Sequence, residues 1–101
     1  MGGLSIVAKR LKEARLRAGI SQKQLGIRAG IDEFSASARI NQYERGKHMP
    51  DLLTLTRLAA VMEVSVPYFY CQDVDLADVI LKFSTLGKAQ RRRLLGLVEE
   101  L

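Results

Sequence analysis

The chain has 101 residues, 48% of them hydrophobic and 27% charged. That length gives one small domain with room for a helical extension, and too little chain for a deep catalytic cleft with its own supporting shell. The net charge is +5 and one cysteine, Cys71, is present. A lone cysteine excludes a disulfide framework and a cysteine zinc site within one chain, and no apolar run reaches the roughly eighteen residues that a membrane span needs.

The charge is unevenly placed. Residues 1–48 carry ten Lys or Arg against four Asp or Glu, residues 49–81 one against five, and residues 82–101 five against two. A basic excess on the first half is the footprint of a phosphate-binding surface. Ordinary solvated side chains give the same pattern, and Lys9, Lys12 and Arg17 fit either description. The opening MGGLSIVAKR lacks the long apolar core and cleavage site of a signal peptide, and Ile6 breaks a myristoylation signal. A cytoplasmic protein is expected.

Leu4 to Ala18 reads as the first helix, with Leu4, Val7, Leu11, Ala14 and Ala18 on one apolar stripe. Gly19 supplies a left-handed end. Ser21 then caps a second helix with Gln24 as its capping-box partner, and Leu25 and Ala29 share its inner face. Free N–H groups and partial positive charge at that N-terminus suit a phosphate oxygen, which makes Ser21 and Lys23 candidate backbone contacts. Gly30 stops the helix. In the stretch Ile31 to Ser35, both Asp32 and Ser35 can cap the next helix, and Phe34 is expected to tuck back as an anchor. Asp32 and Glu33 argue against this stretch facing DNA, because acids repel phosphates.

Ser35 or Ala36 to Arg45 reads as a third helix with Ile40 and Tyr43 inward and Ser37, Ala38, Arg39 and Gln42 outward. Arg39 can donate to guanine O6 and N7, and Gln42 can pair with adenine N6 and N7. Small Ser37 and Ala38 let such a helix sit deep in a major groove. Asn41, on the flank, can take a base or a phosphate, and Arg39 itself can be a phosphate contact. Lys47 and His48 come after the Gly46 turn on the same side and are expected on phosphates. Two short helices, a glycine-bearing joint and a polar outer face describe a helix-turn-helix.

Asp51, after Pro50, caps a fourth helix to Met62 with Leu52, Leu55, Leu58, Ala59 and Met62 as core positions. Ser65 is expected to cap a short fifth helix in which Val66, Tyr68 and Phe69 close the bundle, with Pro67 tolerated in its first turn. Beyond it, Leu76, Val79, Ile80 and Phe83 form one apolar stripe. Leu94, Leu97, Val98 and Leu101 form another, with Ser84 or Thr85 as the last helix's cap. Two stripes in excess of what a five-helix core needs suggest a homodimer surface. The other reading is that they fold back on their own bundle. Arg91, Arg92 and Arg93 solvate the last helix or touch DNA.

At three places the residues resemble one known family. "RLKEARLRAGISQKQL", "YERGK" and "PDLLTLTRLAAVMEVS", in that order and spacing, are similar to the lambda-repressor/Cro-like (XRE-type) helix-turn-helix regulators. The resemblance covers Leu4 to Tyr70. It implies an all-α, lambda-repressor-like five-helix bundle over residues 1–72, with one or two extra helices over residues 73–101. It also implies a DNA-backbone clamp at Gln22 and a structural ion pair between Arg15 and Glu44. The chain departs from the family between the two central helices, where Gly30 to Glu44 is about four residues longer than a joint of the usual three or four residues allows.

The expected function is therefore a sequence-specific double-stranded-DNA-binding transcriptional regulator, a repressor acting as a homodimer. An interaction module or antitoxin-type regulator, holding a partner protein through the C-terminal helices, is the competing class. An enzyme fails on inventory: one His and one Cys, with no Gly-rich phosphate loop and no metal-ligand cluster, leave no nucleophile–base pair. No cofactor or metal is expected, and no exposed aromatic platform points to RNA.

Overall fold

The computed structural model describes residues 5–101, and among them every regular element is helical. The start of the first apolar stripe, Leu4, lies outside the described residues. Helix α1 runs Ile6–Ala18, with Ser5 Oγ accepting from the Ala8 N–H at 3.2 Å. It buries Val7, Ala8, Leu11 and Ala14 and ends where Gly19 turns left-handed at φ 71°. Ala18, expected on the stripe, is exposed, because the helix end passes beyond its neighbours.

Helix α2 (Gln22–Arg28) starts with the capping box that the sequence spells out. Ser21 Oγ accepts from the Gln24 N–H at 3.0 Å, and Gln24 Oε1 accepts from the Ser21 N–H at 2.9 Å. Helix α3 (Ala36–Glu44) crosses it at Gly26, where a Cβ would stand 2.7 Å from the Ala36 Cβ and 3.0 Å from the Ala36 Cα. The two glycine- and alanine-sized residues set how closely these helices approach. Ala36, Ile40 and Tyr43 bury α3's inner face against α1 and α2.

Helix α4 (Leu52–Met62) is capped by Asp51, whose Oδ1 accepts from the Thr54 N–H at 2.8 Å. Leu55, Leu58, Ala59 and Met62 are buried, but Leu52, expected in the core, is 65% exposed. The first turn of α4 projects past the bundle, and Leu53 beside it is also exposed. The helix ends at Glu63 in the left-handed region, φ 57° and ψ 42°. The expected fifth helix is a 3₁₀ turn, Val66–Tyr70, in which Tyr68 and Phe69 plug the core edge-to-face at 5.6 Å. Ser65 does not cap it; its hydroxyl pairs with that of Ser84 at 2.7 Å instead.

Two further helices complete the chain. Helix α5 (Val74–Thr85), capped by Asp73, rests on the 3₁₀ turn through Ala77, with Ile80 and Leu81 half-buried. Helix α6 (Lys88–Glu99) starts at Gly87, whose N–H is held by Gln90 Oε1 at 3.0 Å. The two expected caps bond back into α5 instead: Ser84 Oγ donates to the Ile80 carbonyl and Thr85 Oγ1 to that of Lys82. No residue of α6 is buried, and the molecule is elongated, 50 × 33 × 22 Å.

Candidate nucleic-acid interface

The candidate surface starts from a buried polar frame. Arg15 on α1 grips the Glu44 carboxylate with two N–H groups, its Nη2 reaching Oε1 at 3.0 Å, while its Nη1 donates to the Ile20 carbonyl at 3.0 Å. Glu44 is only 4% exposed. Gln22, at the first position of α2, donates from Nε2 to Glu44 Oε1 at 3.1 Å and to Asn41 Oδ1 at 3.2 Å. Three helices therefore share one ion-pair and amide network. Among the described residues no buried side-chain polar atom lacks a partner. A satisfied network of this kind fixes the angle between α2 and α3 more firmly than apolar contact alone.

On that frame, Ser37, Ala38, Arg39 and Gln42 are all exposed on the outer face of α3. Asn41 is half-buried by its bond to Gln22, so it stands at the seam between α2 and α3. Ser21 and Lys23 are exposed at the N-terminus of α2, on a helix end whose N–H groups favour anions. Lys47 and His48 are exposed just past the C-terminal end of α3. Their N–H groups fold back onto the Gln42 carbonyl, at 2.9 and 3.4 Å, after Gly46 turns left-handed at φ 73°. The bonds from Gln22 to Asn41 and Glu44 bring the N-terminus of α2 to the C-terminal half of α3, the end that Lys47 and His48 follow, with the small Ser37 and Ala38 at the opposite end.

The joint before α3 differs from expectation. Phe34 is 92% exposed rather than tucked back. Asp32 explains the outcome: its Oδ2 accepts from the Phe34 N–H at 3.0 Å, and its carbonyl accepts from the Ser35 N–H at 3.0 Å, a local turn that swings Phe34 outward. Half-buried Ile31 anchors the joint in its place. Ser35 makes no side-chain cap bond, and its backbone is already helical.

A second ionic cluster has no counterpart among the sequence expectations. Arg10 is 7% exposed, its Nε donating to the Cys71 carbonyl at 2.9 Å and its Nη2 to the Gln72 carbonyl at 3.3 Å. Its Nη1 bonds Glu13 at 2.9 Å, and the Tyr68 hydroxyl bonds the same carboxylate at 3.1 Å. The hydrogen bond from Arg10 holds the Glu13 carboxyl below its ordinary range, with Tyr68 adding to the effect and partial burial opposing it. The same bond raises the Arg10 pKa. Nothing in the local sequence separates Arg10 from the solvated basic residues beside it; only its partners far along the chain, on the stretch between the 3₁₀ turn and α5, do so.

The two late stripes are partly covered, Ile80 packing back on the core. Leu76, Val79, Leu97, Val98 and Leu101 are exposed and Ile80, Phe83 and Leu94 half-buried; Leu95 adds to the apolar surface. Arg91 lies over the Phe83 ring at 4.6 Å and donates to the Leu86 carbonyl, bracing the bend between α5 and α6. The described residues contain no cluster placed to hold a metal ion, and no helix long and apolar enough to cross a membrane.

Known proteins resemble this chain in sequence and in fold. The HTH-type transcriptional regulator ImmR of Bacillus subtilis (strain 168) is 36% identical over 67 residues, 66% of this chain and 50% of ImmR. The chain thus spans about half the length of that relative. The crystal structure of transcriptional regulator BswR is similar over almost the whole molecule, with a TM-score of 0.86, 51% identity and 93% of each chain covered. A family model described as helix-turn-helix matches residues 11–69, from the middle of α1 to the 3₁₀ turn. The frame of Arg15, Gln22 and Glu44 and the outward face of α3 lie within that span, and the chain belongs to the XRE-type helix-turn-helix family of DNA-binding transcriptional regulators.

Proposed function

We propose that this protein is a sequence-specific repressor that binds double-stranded DNA as a homodimer, one α3 per major groove. The observation that carries this reading is the exposed face of Ser37, Ala38, Arg39 and Gln42, with Ser21, Gln22 and Lys23 at the adjoining start of α2 and Lys47 and His48 just past the end of α3. In it, side-chain amide, guanidinium and hydroxyl groups read base edges, while helix-end N–H groups and cations set the register on phosphates. Residues 1–72 form the reading domain and residues 73–101 the dimerising one. Uncovered leucines and valines on α5 and α6 support the dimer, because a small monomer seldom leaves so continuous an apolar surface in water. The two α3 helices then meet half-sites about 34 Å apart on one side of the duplex. The protein needs no cofactor, catalyses no reaction and works in the cytoplasm.

Selection of random duplex DNA on the purified protein tests this. A two-fold symmetric consensus is the expected result, and no sequence enrichment over non-specific binding refutes the reading. The exposed stripes also favour a second reading, an antitoxin-type regulator whose α5 and α6 hold a different protein. Light scattering after size separation decides between them: a stable homodimer argues for the first, a lone monomer for the second.

A further inference from the structure

We propose that the lengthened joint before α3 is an additional base-reading element, in which Phe34 packs against the C5-methyl group of a thymine at the margin of each half-site. The inference rests on the DNA-reading face proposed above and names a contact outside it. Phe34 is 92% exposed, whereas Phe69 is fully buried and Phe83 half-buried. Its position is built rather than loose. Asp32 holds it through the Phe34 N–H and closes a turn on the Ser35 N–H, and the Ser35 carbonyl already accepts from the Arg39 N–H at 2.9 Å. The helical path of α3 therefore runs back into the joint. That path reaches Ser35; Phe34 lies in the turn just before it, beside the start of the face that carries Ser37, Ala38 and Gln42, and like them it is exposed.

The chemistry of the joint selects its target. Asp32 and Glu33 are acidic and exposed, which disfavours lying along phosphates. Base edges in the major groove do not repel them, since a cytosine amino group donates to carboxylates. For an apolar ring, the groove offers the thymine methyl as its one apolar feature, and Phe is among the side chains that contact it. Ala38, near the start of α3, is exposed and carries only a methyl group.

The test compares the wild type with Phe34→Ala. Each protein selects its preferred duplex from a random pool, and each thymine of the wild-type site is then replaced singly by uracil, which removes only the methyl. One thymine per half-site should matter: its replacement weakens the wild type about fourfold, the worth of one buried methyl group, and leaves Phe34→Ala unchanged. Phe34→Ala should also lose the preference for that base pair, while its thermal melting matches the wild type because the ring contributes nothing to the core. If both proteins respond alike to every thymine-to-uracil change, the inference is overturned although the DNA-reading function stands. That result would leave a protein partner as the occupant of the exposed ring. If the wild type selects no sequence, the reading function fails, and this inference with it.

Discussion

The Arg39 guanidinium projects from α3 without a hydrogen bond to any described residue, whereas those of Arg15 and Arg10 are held on nearly every nitrogen. The same side chain thus does opposite work at different positions, and substitution separates the two. Arg39→Ala should leave stability unchanged and relax the selected sequence at one base pair, at a cost of about 1–3 kcal/mol in discrimination. An unaltered consensus would remove Arg39 from the reading set. Lys47→Ala should weaken binding to all duplexes alike and reduce the salt slope by about one, which a salt titration of affinity measures. Glu44→Ala belongs to the fold: it strands the Arg15 guanidinium in a nearly closed site, and the expected loss is about 3–5 kcal/mol in denaturant unfolding.

At the level of helices, the contact between α2 and α3 is set by Gly26 and Ala36. Gly26→Ala should cost about 1–3 kcal/mol by overpacking, or else splay α3 outward and weaken DNA binding. Both outcomes are visible in a thermal melt paired with an affinity measurement. The seam between α1 and the 3₁₀ turn is expected to respond to acid through Glu13. Because the folded Glu13 carboxyl lies below its unfolded value, its contribution is present above about pH 4.3 and is lost as pH falls through the lower, folded pKa. Glu13→Gln should therefore flatten the acid limb of a stability-versus-pH curve. The helices themselves are legible in the sequence because caps and apolar spacing are local: Ser21 with Gln24, and Asp51 before Leu55 and Leu58. The places where expectation and structure part depend on distant surroundings. Leu52 has the spacing of a core residue but sits in a turn with no neighbour above it. Phe34 belongs inside on hydrophobicity alone, while a single acceptor on Asp32 points it outward. Arg10 is not singled out by the sequence because Cys71 and Gln72 are sixty-odd residues away. Within the reading face, the outward set on α3 comes from helical phase, whereas the link of Gln22 to Asn41 and Glu44 needs three helices in place.

Taken as a whole, the molecule is a helix-turn-helix bundle joined to a helical arm whose last element, α6, buries no residue. An isolated helix of twelve residues is marginal in water, since helices below about 12–15 residues rarely hold without packing. Its formation should therefore be coupled to dimerisation. Leu97→Glu is expected to give a monomer in light scattering, with lower far-ultraviolet helicity and faster tryptic cutting at Arg91 to Arg93. The reading domain should then retain weak, single half-site binding.

The clamp of Arg10 on the Cys71 and Gln72 carbonyls carries a consequence for the operator. In the proposed dimer, an arm bolted to α1 rather than tethered by a slack linker would hold the two heads at a set separation, as a ruler does. Operators with base pairs inserted between their halves should be rejected steeply by the wild type and tolerated by Arg10→Met.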